Sequence, residues 1–174
     1  MLAVTVLVCS MMALSEAAAR PEAEAGNVIA PVIQEGKSPV VQRLTSCPSG
    51  WTGYKGSCFH YIPTAMTWAR AEKNCQSMGA NLASVHSAEE YHELQRMIVS
   101  ITHAYRETWI GGSDAQEEGV WLWSDGSSFN YRHCGGFDNW GGKQHCLQMN
   151  YGGQKCWDDC QCSYKRPFVC AKKI

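Results

Sequence analysis

The residues best suited to bind a metal or to form covalent cross-links are the cysteines and the histidines beside them. Nine cysteines follow residue 46, and histidine precedes two of them, in His133-Cys134 and His145-Cys146. Thiolate and imidazole ligands at such positions could hold zinc. In an oxidising compartment the same cysteines would instead form disulfides, which is the alternative we expect. Because nine is odd, at least one thiol is free or pairs with another chain.

No catalytic arrangement is evident in the sequence. It supports no Ser-His-Asp or Cys-His nucleophile beyond residue types that every domain contains, and it has no phosphate-binding glycine motif. The adjacent carboxylates Glu117 and Glu118 are typical of a solvated loop. Residues 47–174 contain 12 Lys or Arg and 12 Asp or Glu, so this part is neutral. We therefore expect a binding protein rather than an enzyme, with no nucleic-acid partner and no membrane insertion.

The chain divides into three parts by composition. Residues 1–19 have the features of a signal peptide, an apolar run from Leu2 to Leu14 followed by the small residues Ala17-Ala18-Ala19. That run is shorter than the roughly 20 residues that span a bilayer. Residues 20–46 have three prolines and no cysteine or aromatic residue, which predicts a flexible arm or propeptide. Residues 47–174 then form one domain of a secreted, extracellular protein.

Two helices are predicted to support the cysteine-rich region. Thr64 is a candidate N-cap for a helix over residues 65–78 that ends at Gly79. Ser87 and Glu90 have the spacing of a capping box for a second helix. Residues spaced by three and four predict the buried faces of the two helices: Trp68, Ala71, Cys75 and Met78 on the first, and Tyr91, Leu94, Ile98 and Ile101 on the second.

The remaining chain is predicted to be strand and loop. Four segments have strand composition: YKGSCFHYI, TWIGG, VWLWSD and RPFVCAKK. Residues 111–155 are rich in glycine and polar groups, so we expect long, mostly irregular loops there. Loops of that length are usually functional or held by disulfides. Trp109, Trp157 and one of Trp121 or Trp123 are expected in the core.

An ordered series of short motifs identifies a family. The series is CPSGW, YKGSCFHY, TWARAEKNC, GANLASVHSAEE, WIGGSD, WLWSDG, CWDD and FVCAKK. It resembles the C-type lectin-like domain over residues 47–174, and within it the small fish group of ladderlectins, lactose-binding lectins and type II antifreeze proteins. The resemblance implies an α+β fold, with two helices, small antiparallel sheets and a long loop region held by disulfides.

The resemblance also implies a pairing of the cysteines. The implied pairs are Cys47–Cys58, Cys75–Cys170, Cys134–Cys156 and Cys146–Cys162. Cys160 is left over. It is either a buried free thiol, an exchange partner for Cys162, or half of an interchain bridge. We expect the interchain bridge, and hence a disulfide-linked homodimer with two binding sites.

The resemblance implies a calcium and sugar site in the long loop region. Calcium binds six to eight oxygen atoms, and a sugar's hydroxyls complete its shell in this family. The positions that carry over as metal ligands are Asp138, Gln144, Asp158 and Asp159, and Asn139 and Trp140 join them as sugar-binding residues. Asp138 and Trp140 resemble galactose-type members, in which an aromatic ring stacks on the sugar.

Three departures from the family pattern bear on the metal. Gly136 has no side chain where the family has Glu or Gln, Phe137 replaces a proline, and Gln144 replaces a Glu. We therefore expect that no cofactor is required, with calcium as the alternative. Asp158 and Asp159 would then hold the loop by hydrogen bonds, and Lys143 or Lys155 could balance the carboxylates.

Two functions follow from the resemblance. The first is a secreted lectin that binds galactose- or lactose-containing glycans and recognises or agglutinates cells, including microbes in innate immunity. The second is a type II antifreeze-like protein that binds ice through a flat surface. Antifreeze members carry a further disulfide at the positions of Ala115 and His145, which this chain lacks, so we expect the lectin.

Overall fold

The computed structural model describes residues 46–174. The predicted signal peptide and the arm or propeptide lie almost entirely outside this range. The described part contains two α-helices, eight short strands and one 3₁₀ turn. In chain order they are β1 (Thr52–Tyr54), β2 (Ser57–Met66), α1 (Trp68–Ser77), β3 (Asn81–Leu82), α2 (Ala88–Thr102), β4 (Thr108–Ser113), β5 (Leu122–Trp123), the 3₁₀ turn (Trp140–Gly142), β6 (Cys146–Tyr151), β7 (Cys156–Cys160) and β8 (Arg166–Lys173).

The strands form one mixed sheet in the order β1-β2-β8-β4-β6-β7, with β3 beside β8 and β5 beside β4. Neighbouring strands are antiparallel except β4 and β8, which are parallel where Trp109 faces Phe168. The longest pairing joins β2 to β8 and brings the start of the domain beside its end. The predicted α+β class is confirmed, with one branched sheet in place of several small ones.

Helix α1 begins later than predicted. Thr67, not Thr64, is the N-cap, and no side chain caps the helix there. Thr64 lies in β2, because that strand continues past a register irregularity until Met66 pairs with Arg166. The predicted end is close, since α1 is followed by Gly79 in a left-handed conformation that glycine tolerates.

Helix α2 begins as predicted. The Glu90 N–H donates to Ser87 Oγ (3.2 Å), and the Glu90 carboxylate accepts from the His86 N–H (2.7 Å), one residue before the usual capping-box donor. Tyr91, Leu94 and Ile98 are fully buried. The prediction for Ile101 is wrong: it is 54% exposed, because the last turn of α2 extends beyond the core.

The core contains the tryptophans that were expected there. Trp109, Trp123 and Trp157 are buried, whereas Trp121 is partly exposed and packs against the same cluster. The prediction of mostly irregular chain over residues 111–155 is wrong at its end, where β6 forms a central strand. Among the described residues, no helix is long and apolar enough to cross a lipid bilayer.

Four disulfides cross-link the sheet and the loops. They are the four pairs that the resemblance implies: Cys47–Cys58, Cys75–Cys170, Cys134–Cys156 and Cys146–Cys162. Cys160 is a free thiol that is 3% exposed, packed in the core opposite Cys146. Burial of Cys160 argues against the expected interchain bridge, which only a measurement of the oligomeric state tests.

Candidate functional site

The loop between Cys134 and Cys146 is held at its base by the backbone of β7. Trp157 N–H donates to the Cys134 carbonyl (2.9 Å), and Cys134 is bonded to Cys156 at the start of the same strand. Gly135 follows with a φ of 132°, and a side chain there would collide with the Trp157 carbonyl. The loop therefore leaves the sheet at a position that only glycine fits.

The predicted site residues lie together in this loop and bond to one another. Asn139 N–H donates to Asp159 Oδ2 (2.8 Å), and Gln144 N–H donates to Asn139 Oδ1 (3.1 Å). Trp140 N–H lies close to both Asp138 Oδ1 (3.1 Å) and Gln144 Oε1 (2.7 Å). Asn139 has a φ of 42°, a conformation that asparagine adopts more readily than most residues. Five predicted residues thus form one hydrogen-bonded loop.

Trp140 is the most exposed large apolar side chain of the described residues. It begins the 3₁₀ turn and is 72% exposed. Gly141 and Gly142 continue the turn with positive φ values. Hydrogen bonds to Asp138 and Gln144 hold the backbone of Trp140, so the loop presents an indole ring to solvent.

Phe137 lies on the other side of the loop. Its ring packs against Trp121, with the ring centroids 4.9 Å apart, and the Arg132 guanidinium lies 3.6 Å from its centroid. Phe137 adopts a φ of 47°, which is strained for a bulky side chain. The contacts with Trp121 and Arg132 hold the loop where the family pattern has a proline.

Asp158 and Asp159 follow Trp157 in β7 and face different partners. Asp158 Oδ2 accepts from Gln148 Nε2 (3.0 Å), a buried amide that sequence reasoning missed. Burial raises the pKa of Asp158 to about 6; the Gln148 hydrogen bond opposes this rise, and nearby acidic residues add to it. Burial likewise raises the pKa of Asp159.

The oxygen atoms of this site do not fit a calcium ion. Asp138, Gln144 and Asp159 each use an oxygen to accept a backbone N–H, and Gly136 contributes no side chain. Asp159 Oδ1 is buried and has no hydrogen-bond partner, so this oxygen is one available ligand atom. Calcium needs six to eight oxygens around one point. The ligand atoms of Asp138, Asp158 and Asp159 do not converge into such a group.

A separate cluster joins the segment after β4 to the start of β6. His145 Nδ1 lies 3.2 Å from Asp114 Oδ1 and 3.4 Å from Glu118 Oε2. Within residues 46–174 it is the one group of three His, Cys, Asp or Glu side chains whose ligand atoms converge. The zinc alternative for His133-Cys134 and His145-Cys146 is not supported, because both cysteines are in disulfides.

Comparison with known proteins agrees with the fold. The Lectin C-type domain family matches residues 64–172. The chain belongs to the C-type lectin family. It is 42% identical over 138 residues to the galactose-specific lectin nattectin of Thalassophryne nattereri, covering 78% of this chain and 86% of nattectin. It is 38% identical to a type-2 ice-structuring protein of Hemitripterus americanus, covering 98% of each chain.

A solved structure shows the same fold in a protein described as calcium-independent. A calcium-independent type II antifreeze protein superposes with a TM-score of 0.67 at 38% identity, covering 76% of this chain and 98% of that chain. The C-type lectin fold of this chain therefore occurs in proteins named as sugar-binding and in proteins named as ice-structuring. The site itself has to distinguish the two.

Proposed function

We propose that this chain is a secreted lectin that binds galactose- or lactose-containing glycans without calcium, and that it acts by binding rather than by catalysis. The observation that carries the proposal is Trp140, whose indole ring is 72% exposed and whose backbone N–H bonds to Asp138 and Gln144. An exposed ring with hydrogen-bonding groups at its edge suits a sugar, which has an apolar face and polar hydroxyls.

The side-chain atoms left over by the loop network are suited to hydroxyl groups. Asp138 Oδ2, Asn139 Nδ2 and Gln144 Nε2 take part in none of the hydrogen bonds of the described residues. They offer one acceptor and two amide donor groups in the same loop as Trp140. Since the loop is held by its own hydrogen bonds, a sugar would meet a site that is already formed, which lowers the entropy cost of binding.

The name of nattectin as a galactose-specific lectin supports galactose as the sugar. Cell-surface glycans, including those of microbes, are the proposed target. Agglutination would need more than one site per particle, and the burial of Cys160 argues against a disulfide-linked dimer as its source. We therefore propose recognition of glycans by each chain separately.

The test is retention on immobilised lactose with and without EDTA. We expect the wild-type protein to be retained in both conditions and to elute with free lactose. Trp140→Ala should lose at least about tenfold in affinity, because it removes the stacking surface. Tyr164→Ala is the matched control, since Tyr164 is another exposed aromatic residue outside the loop. Passage of the wild-type protein through the column, or equal loss in both variants, would refute the proposal.

Ice binding is the second candidate, favoured by the ice-structuring relative and by the calcium-independent antifreeze structure. Against ice binding, this chain has Ala115 and His145 at the two positions where antifreeze members have a further disulfide. Measurement of ice-crystal shape in dilute protein separates the two functions. Faceted crystals from a protein that lactose does not retain would replace the lectin with an ice-binding protein.

A further inference from the structure

A basic groove lies between the outer half of β2, the segment from the end of α2 to β4, and the turn before β8. It has a volume of about 780 Å³. We call it the Arg106 groove and define it by Tyr61, Tyr105, Arg106, Glu107, Lys165 and Arg166. None of these residues belongs to the loop that carries Trp140, so the groove is separate from the candidate sugar site.

The charges of the Arg106 groove are unbalanced. Arg166 Nη1 pairs with Glu107 Oε2 at 2.6 Å. Arg106 and Lys165 are exposed, and within residues 46–174 neither side chain forms an ion pair or a hydrogen bond. The domain as a whole is neutral, so two unpaired cations in one concave surface are a local excess rather than a general property.

The groove also has a partly apolar wall. Tyr105 is 51% exposed, and the rigid rings of Pro63 and Pro167 lie on the same lining. Tyr61 is buried below, near enough to Arg106 for the guanidinium charge to oppose the rise in tyrosine pKa that burial causes. An exposed aromatic ring beside two cations is the combination that an anionic saccharide needs, because the ring contacts the C–H face and the cations hold the acidic group.

We propose that the Arg106 groove is a second binding site, which takes a saccharide carrying sulfate or carboxylate groups. Arg106 and Lys165 would hold the anionic group, and Tyr105 would pack against the sugar ring. An acidic peptide is the competing ligand class. Its backbone would need hydrogen-bonding partners along the groove, whereas the walls are formed by proline and tyrosine side chains.

The experiment measures direct binding of two anionic probes to the full chain by calorimetry. A heparin-derived octasaccharide tests sulfate, and a hyaluronan octasaccharide, which carries carboxylates but no lactose, tests carboxylate. The double variant Arg106→Gln with Lys165→Gln should weaken binding of the responsive probe at least tenfold, about the value of a charge-assisted hydrogen bond. The matched control is Arg70→Gln with Lys73→Gln, which removes the same charge from the exposed face of α1 and should change affinity by less than about twofold.

Further arms separate this proposal from the lectin proposal and from the peptide. Trp140→Ala and an excess of lactose should leave octasaccharide binding unchanged, so the groove can be tested whatever happens at the lactose column. Binding of neither probe, equal loss in both charge variants, or equally tight binding of a polyglutamate peptide would each overturn the proposal.

Discussion

Asp158 is predicted to lower the stability of the folded protein at neutral pH, and Asp158→Asn should remove that cost. Burial and the neighbouring acids raise the pKa of this carboxyl from an ordinary 3.8 to about 6. In the folded state Asp158 therefore stays protonated at pH values at which it is ionised in the unfolded chain. Stability contributed by this proton is complete below pH 4 and is lost as the pH rises through about 6.

The magnitude follows from the size of the shift. One pKa unit corresponds to about 1.4 kcal/mol, so the whole shift would be worth about 3 kcal/mol if it were not screened. Asp158 is partly exposed, and solvent screening reduces the value to about 1 kcal/mol. Asparagine has no such titration, and it can still accept the hydrogen bond from Gln148 through its amide oxygen.

Urea denaturation with the disulfides intact measures the effect. We expect Asp158→Asn and the wild type to have equal free energies of unfolding near pH 4, and the variant to be about 1 kcal/mol more stable at pH 7.5. A difference that does not change with pH, or a variant that is less stable at pH 7.5, would refute the reasoning.

Asp125 provides a control of opposite sign. Burial raises its pKa, but hydrogen bonds from Ser127 and Ser84 outweigh burial and hold the pKa below the ordinary value. The stability that Asp125 contributes is present above the unfolded pKa and is lost as the pH falls through the folded value. Asp125→Asn should therefore destabilise the protein at pH 7.5, and the loss should shrink in acid.

Two further predictions concern the core and a helix end. Cys160 should not react with a thiol reagent in the folded protein, and one thiol per chain should react when urea unfolds it. The protein should run as a monomer on a non-reducing gel. A dimer that Cys160→Ser abolishes would contradict the burial of Cys160. Ser87→Ala should lower the free energy of unfolding by about 1 kcal/mol, because it removes the N-cap of α2. Ser100→Ala within the same helix should have little effect. Equal losses of stability in the two variants would show that the cap is not the cause.

The sequence predicted α2 and β8 well because their signals are local. Ser87 and Glu90 mark the start of α2 on their own, and RPFVCAKK corresponds to β8 residue for residue. Helix α1 was displaced because the predicted N-cap, Thr64, lies in β2, and Thr67 is the N-cap instead. The choice between them depends on Met66 pairing with Arg166, a contact 100 residues away that no local pattern contains.

Strand β6 was missed for a related reason. It is buried over most of its length but carries Gln148 and Asn150, two polar residues that interrupt an apolar strand pattern. Both have distant partners: the Gln148 Nε2 group donates to Asp158, although its Oε1 is left without a partner, and Asn150 bonds to Gln95 and the Arg106 carbonyl. A polar side chain is tolerated in the core when such partners exist, and the sequence alone does not show them.

The candidate site shows the same limit in a functional setting. The family pattern located Asp138, Gln144 and Asp159, but it implied that their oxygens would converge on a cation. Instead they accept backbone N–H groups of Asn139 and Trp140, so hydrogen bonds hold the loop shape that a metal would otherwise hold. A neutral glutamine at residue 144 suits this arrangement, because a fourth carboxylate beside three aspartates would add repulsion with no cation to offset it. Burial is the main cause of the raised pKa of Asp158, and the charges of Asp159 and Asp138 add to it. Glutamine at residue 144 therefore weakens the site for calcium and also lets the loop present Trp140 without a bound calcium ion.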